Sequence, residues 1–260
     1  MLLFVYVKWY ISMSKHLFKK FWLIVLKIRD KSLRSKNDTS QSLESTKLYP
    51  ILAAYPVKLI VDIGANDGLN LSNSYYFIKN GWSALLVDPI PNSIKKARVT
   101  HQGNNKVRYE EVAISNINSY SKIYLDKGNT NNFFSTLETE DTPLRKKFVD
   151  SKKYITVKTT TLNDLLSDHF VPKEFALLSI DVEGHESKVL ETLGAFRPAV
   201  ILVERSLESI SESLAKQKLL TNYLYIYAAR IGCNEVYIDS TSRYVQDRLE
   251  DFAKISSIGI

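Results

Sequence analysis

At 260 residues, with 45% hydrophobic and 24% charged side chains, the chain can bury a sizeable core and reads as neither disordered nor fibrous. Its one cysteine, Cys233, excludes an intrachain disulfide and a zinc site built on several thiolates, and it suits a reducing compartment, the cytoplasm. The net charge of +7 is local: residues 1–36 hold nine basic side chains against one acid, which leaves 26 against 27 elsewhere, and so near-neutral a body offers no groove for nucleic acid.

The first elements are two apolar runs, Met1–Ile11 and Leu17–Ile28, each broken by lysine and too short for a spanning helix of about 20 residues. Leu17, Phe21, Ile24, Val25 and Ile28 recur at helical spacing, with Lys20, Lys27, Lys31 and Arg34 on another side. A basic amphipathic segment over 1–31 is expected. It either touches an anionic membrane surface peripherally or docks on protein. Residues 32–47 are polar and read as a linker, which puts the main domain at 48–260.

Beyond the linker, apolar runs of strand length alternate with helical stretches. Lys58–Ile63, Ala84–Asp88, Val107–Ile114, Phe175–Asp181 and Ala199–Glu204 are expected strands, and Leu71–Asn80, Ser93–Thr100 and His185–Leu193 are expected helices. This order predicts a doubly wound, mostly parallel α/β sheet of Rossmann-like type. Residues 115–160 break the pattern, with strands at Lys122–Leu125 and Tyr154–Thr160 around an Asn-rich stretch at 128–132, and are expected to insert over the sheet's C-terminal edge. Leu214–Ile231 reads as a helix, although the alternation of Tyr223, Tyr225 and Tyr227 also suits a strand, and Glu235–Ile238 reads as the last strand.

The strongest local signal is VDIGANDG, Val61–Gly68, directly after an apolar strand. Gly64 and Gly68 let backbone approach a ligand closely, Asn66 and Asp67 tolerate a tight turn, and Asp62 places a carboxylate at the strand end. Twenty residues after Gly68, Asp88 closes the second strand, where it can accept hydrogen bonds from both hydroxyls of a ribose. The pattern runs D-x-G-x-N-x-G, with Asn66 in place of the central glycine that admits a pyrophosphate, so an adenosyl ligand without phosphate fits better than a dinucleotide.

A second cluster, SIDVEGHE (179–186), puts Asp181, Glu183, His185 and Glu186 after the fourth strand. Asp181 is the first choice for orienting or deprotonating an acceptor hydroxyl, His185 the second, and Glu183 stands between them. Glu186 also suits a helix N-terminus, and His185 also suits a partly exposed loop. Three adjacent ligands around a glycine turn rarely converge on one ion, so no metal is expected. Glu204 either enters the same cleft or pairs with Arg205, Cys233 reads as a small buried hydrophobe, and His16, His101 and His169 read as exposed.

Over about residues 55–245 the chain resembles the FkbM-type methyltransferases. The resemblance rests on VDIGANDG (61–68), LLVDPIP (85–91), EVAIS (111–115), TTTLNDLL (159–166) and LLSIDVEGHESKVLETL (177–193), in that order. The family often has Leu-Asp-Asp-Leu where this chain has Leu162–Leu165 as L-N-D-L. The resemblance implies a seven-stranded Rossmann-like sheet and an S-adenosylmethionine-dependent methyltransferase, many of whose relatives methylate oxygen. It implies that Asp62, Gly64, Asn66 and Gly68 line the cofactor, that Asp88 holds its ribose and that Ala113 lies near its adenine. The expected acceptor is a hydroxyl of a sugar, glycan or small metabolite. The alternative is a membrane-associated binding module that keeps the fold without turnover.

Overall fold

The computed structural model describes residues 37–126, 137, 149–205 and 210–257. The amphipathic segment expected over 1–31, on which the membrane-associated alternative rests, and the Asn-rich stretch at 128–132 lie outside the described residues. No helix among the described residues is long and apolar enough to cross a membrane. The chain divides into two units, Met1–Asp38 and Thr39–Ile260, and every element below belongs to the second.

In chain order the first half runs α1 (Glu44–Leu52), β1 (Leu59–Ile63), α2 (Tyr75–Lys79), β2 (Ser83–Val87), α3 (Pro91–Thr100), β3 (Val107–Glu110), β4 (Ala113–Ile114) and β5 (Ser119–Asp126). The second half runs β6 (Val149–Thr160), α4 (Leu162–Asp168), β7 (Glu174–Ile180), α5 (Glu186–Leu190), β8 (Arg197–Glu204), α6 (Ile210–Asn222), β9 (Tyr225–Ile231), β10 (Asn234–Asp239), α7 (Arg243–Gln246) and α8 (Leu249–Ser257).

Seven strands form one sheet in the order β3-β2-β1-β7-β8-β10-β9. The pairs among the first five are parallel, and β10 is antiparallel to both β8 and β9. The sheet is thus the Rossmann-like, mostly parallel one that the alternating pattern predicts. All five positions of β1 are buried, as expected of a parallel strand covered on both faces. Alternate residues feed two cores: Ile60, Leu86, Leu177 and Val200 on one face, and Val61, Leu85, Leu178 and Ile201 on the other. The chain leaves β1 toward β2 and β3 and returns on its other side as β7 and β8. The strand order therefore reverses between β1 and β7, the place where open α/β sheets form a crevice.

Several boundaries differ from the sequence reading for identifiable reasons. The linker expected over 32–47 ends early, because Ser40 bridges Leu71 and α1 begins at Glu44. Polar residues enter the fold there through hydrogen bonds: Ser45 Oγ donates to the Asn73 carbonyl at 2.8 Å, and Glu44 Oε2 accepts from Ser42 N at 2.7 Å. Helix α2 starts at Tyr75 instead of 71, since Ser72 Oγ accepts from the backbone N–H groups of Ser74 and Tyr75 and holds a turn. The run Val107–Ile114 splits, with β3 in the main sheet and β4 in a small sheet ordered β4-β6-β5. The helix expected over 214–231 stops at Asn222, and Leu224 adopts a left-handed φ of 63° before β9 begins. The tyrosine alternation marks that strand. Helices α1, α4, α7 and α8 are not among those expected from the sequence.

Trp82 is fully buried, 4.7 Å between ring centroids from Phe77 and 6.2 Å from Tyr49, and ties α1 and α2 to the sheet. Trp82→Ala is expected to cost about 3–5 kcal/mol of unfolding free energy, read from urea denaturation. A loss below about 1 kcal/mol would mean that this face of the core is not packed as described.

Candidate active site

The acids of the site are set by strand ends. Strands β1, β2, β7 and β8 run parallel, so their last residues meet along one edge of the sheet. One cavity there, of about 1220 Å³ with its open mouth included, is lined by Asp62, Gly64, Asn66, Asp88, Ala113, Asp181, Glu183, His185 and Glu204. It thus gathers the expected catalytic and cofactor residues except Gly68, and of the two places open to Glu204 the fold takes the cleft; Asp67 and Glu186 do not line it. Its described lining holds five carboxylic acids and no Lys or Arg, a surface that repels phosphate and attracts cations and hydroxyl donors.

The glycines serve packing before they serve a ligand. Gly64 has φ +86°, and a Cβ there would lie 1.8 Å from the Asp181 carbonyl oxygen. Its N–H and that of Ala65 both donate to Val87 O, at 2.9 and 3.0 Å, so the turn is wedged between β2 and β7. At Gly68, φ +65°, a Cβ would meet His101 Nε2 at 3.0 Å and Leu86 Cδ1 at 3.1 Å. Gly68, expected to line the cofactor, stands outside the cavity lining: its neighbours are a core leucine and a histidine. His101, expected to be exposed, is buried, its Nε2 lies 3.0 Å from Gly68 O, and burial lowers its proton affinity.

Asp88 locks the turn to the end of β2. Its Oδ2 accepts from Asn66 N at 3.0 Å and its Oδ1 from Ile90 N at 2.9 Å. Burial pushes its carboxyl up to about 7, against the lowering effect of those two N–H groups. Asn66, expected to tolerate a tight turn, has φ +47°, in the left-handed region. Asp62 is buried, and burial raises its carboxyl despite hydrogen bonds from the Ser74 and Ser179 hydroxyls. Ile90, Val112, Ala113, Ile123 and Leu137 supply the apolar wall, the last two from the insertion over 115–160.

At the end of β7, the carboxylate oxygens of Asp181, Glu183 and Glu204 lie within 4.8 Å of one another. Burial, then the adjacent Glu204 carboxyl, raises Asp181 well above the usual carboxylate range. Glu183 sits at φ +56° before Gly184 at φ +101°, a turn that Glu186 Oε1 holds by accepting from Val182 N at 3.2 Å and Gly184 N at 3.0 Å. Glu186 is thus a structural acid. His185 is buried instead of partly exposed, its Nε2 3.0 Å from Ser115 Oγ. Glu204 faces the cavity, and Arg205 pairs instead with Glu235 at 3.2 Å.

Sequence reasoning missed Gln41, Asn70, Ser72, Asn73 and Asn234, all of which line the cavity. Cys233 is half-buried rather than buried, and its thiol donates to Gln41 Oε1. Burial pushes that thiol up to about 12. His169 pairs with Glu110 at 3.1 Å.

Gly64→Ala is expected to cost at least about 3 kcal/mol of stability, since both a left-handed backbone and a clash with backbone resist it. Gly68→Ala is expected to cost about 1–2 kcal/mol, because the His101 ring can give way. Urea unfolding of both variants checks the order, and a Gly64→Ala protein as stable as the parent would refute the packing role.

A sequence profile of the methyltransferase FkbM domain matches residues 62–227, more than half of the chain. No curated protein sequence matches it. Among solved structures, methyltransferase FkbM from Methylobacillus flagellatus KT is 12% identical, with a TM-score of 0.41 over 70% of this chain and 43% of that one. The bifunctional kinase-methyltransferase WbdD is 11% identical, with a TM-score of 0.40 over 76% and 37%. A ribosomal protein L11 methylase from Lactobacillus delbrueckii subsp. bulgaricus is 11% identical, with a TM-score of 0.40 over 75% and 77%. This chain spans less than half the length of the FkbM and WbdD structures. The matched segment takes in the turn after β1, the acid-bearing ends of β2, β7 and β8, and the whole insertion, and on that match the chain belongs to the FkbM methyltransferase family.

Proposed function

We propose that the chain transfers the methyl group of S-adenosylmethionine to a hydroxyl oxygen of a sugar, a glycan or another small metabolite. One observation carries this reading: the turn at Gly64–Asn66 and the carboxyl of Asp88 open onto the same cavity as the acids at the ends of β7 and β8.

The residues present suit the donor. Asp88 offers carboxylate oxygens to paired ribose hydroxyls, and Asp62 offers charge to an ammonium. Ile90, Val112 and Ala113 offer an apolar face to adenine. A phosphate-bearing cofactor would instead face carboxylates without a cationic partner among the described lining residues. When bound, S-adenosylmethionine supplies an electrophilic methyl group on a sulfonium. The protein's share is to align the acceptor oxygen with that methyl and to take one proton from the hydroxyl. Asp181 suits the orienting role and His185, steadied by Ser115, can receive the proton, with Glu183 adding negative charge beside them. Gln41, Asn70, Ser72 and Asn73 are neutral hydrogen-bonding groups suited to an acceptor with several hydroxyls.

Asp88 gives the reading a pH signature. A free aspartate loses its proton near pH 4, whereas Asp88 in the fold holds it up to about 7. Between those values the folded chain binds the extra proton, so this group makes stability fall as pH rises through that window. Ribose hydroxyls donate to the carboxylate, so donor affinity has the opposite slope and rises with pH. Calorimetric titration with S-adenosylhomocysteine is expected to show roughly tenfold tighter binding at pH 8 than at pH 6, with Asp88→Asn weaker and nearly flat. Absence of binding at millimolar ligand removes the proposed donor. Full pH dependence in Asp88→Asn removes Asp88 from the ribose site.

A further inference from the structure

We infer that Asp181, Glu183, Glu204 and Asn234 form a site for one hard divalent cation of the Mg2+, Mn2+ or Ca2+ class at the floor of the cavity. The expectation from the sequence was the opposite, because the adjacent trio of Asp181, Glu183 and His185 cannot easily converge. The fold replaces His185 with a residue from the neighbouring strand. Oxygens of Asp181, Glu183 and Glu204 come within 4.8 Å of one another, the scale set by oxygens on opposite sides of a cation with bonds of about 2.1–2.5 Å.

Asn234 is the independent observation. It is 3% exposed, lines the same cavity and stands directly opposite Glu204 in the antiparallel pair of β10 with β8. Residues opposite each other in such a pair share a face, with Cβ atoms about 5 Å apart. Its Nδ2 donates to Glu44 Oε1 at 2.9 Å, which fixes the amide, since the reversed amide would turn its oxygen onto a carboxylate. Its Oδ1 is buried without a hydrogen-bond partner among the described residues. A buried carbonyl oxygen without a donor costs free energy, and a cation beside Glu204 would satisfy it. Three carboxylates and one amide oxygen make an all-oxygen set, which selects hard cations over zinc or copper.

Cation binding does not depend on methyl transfer. Its use rests on the reading above: the cation would take the acceptor oxygen as a further ligand and lower the proton affinity of its hydroxyl. Asp181 then orients through the metal, and His185 is left to receive the proton.

The test uses the full chain, stripped with EDTA and titrated with Mn2+ while the electron paramagnetic resonance signal of free Mn2+ is followed. One Mn2+ is expected per chain, bound below millimolar concentration. Glu204→Gln is expected to weaken binding at least tenfold and Asn234→Ala several-fold. Far-UV circular dichroism and urea unfolding of both variants, compared with the parent, report folding. An undiminished Mn2+ signal at millimolar concentration in the parent protein overturns the site. So does unchanged Mn2+ affinity in Asn234→Ala, or displacement of Mn2+ by S-adenosylhomocysteine, which would give the trio to the donor's ammonium. Mn2+ binding without S-adenosylhomocysteine binding upholds the cation site and removes the proposed donor.

Discussion

The site depends on how closely β1 and β7 run together at their ends. Their pairing extends from Ile60 and Leu177 to Ile63 and Ile180, and one step further the Asp181 carbonyl occupies the space that a side chain at Gly64 would need. Only hydrogen fits. The N–H of Asp181 donates to Ile63 O at 2.9 Å, so the acid that ends β7 is fixed to the same peptide step that begins the turn. On the other side of β1, Asp88 accepts from Asn66 N and holds that turn to β2. Three strand ends are therefore locked with a few short contacts, and each carries an acid that faces the cavity: Asp62, Asp88 and Asp181.

Gathering carboxyls in this way works against stability. Each loses hydration, and their charges repel, which is why burial raises Asp62, Asp88 and Asp181 together. The fold offsets part of this with neutral donors: serine hydroxyls at Asp62 and backbone N–H groups at Asp88. A domain with no use for these acids would gain stability by replacing them with apolar residues of similar volume. Their retention at the switch point of the sheet is what a site for hydroxyls, ammonium or cations requires.

Much of this was legible in the chain. Apolar runs gave the five parallel strands, because strands buried on both faces have little freedom in composition, and acids closing those runs stood out against them. The D-x-G-x-N-x-G turn and Asp88 were correctly joined, since both follow strands in one βαβ unit. The roles of the glycines were less legible: Gly64 and Gly68 read as ligand contacts, but their neighbours, the Asp181 carbonyl and His101, are 117 and 33 residues away in the chain. His185 read as a second candidate for the base and Glu186 as an acid that also suits a helix N-terminus; the fold gives Glu186 the turn and sets His185 on the cavity. The linker was extended too far because Ser40, Glu44 and Ser45 look solvated in composition, while each is buried and hydrogen-bonded.

The far wall of the cavity shows how position can be fixed with charge that the site itself does not use. Lys216, fully buried on α6, donates to the Glu204 carbonyl at 3.1 Å and lies 3.3 Å from Glu235, which also accepts from Arg205 and Tyr237. A buried ion cluster of this kind adds little net stability but tolerates few alternative arrangements, so it sets where β8 ends and where Glu204 points. Asn234, the cross-strand neighbour of Glu204, is set from the other side by Glu44 at the start of α1. Glu44, Asn234 and the cavity residue Gln41 all lie outside the segment that matches the family, 62–227. The half of the cavity around the turn after β1 and the ends of β2 and β7 thus comes from the shared segment. The wall beside Glu204 is built in part by residues that the shared pattern does not prescribe, and there the chain can differ from its relatives without disturbing the turn after β1.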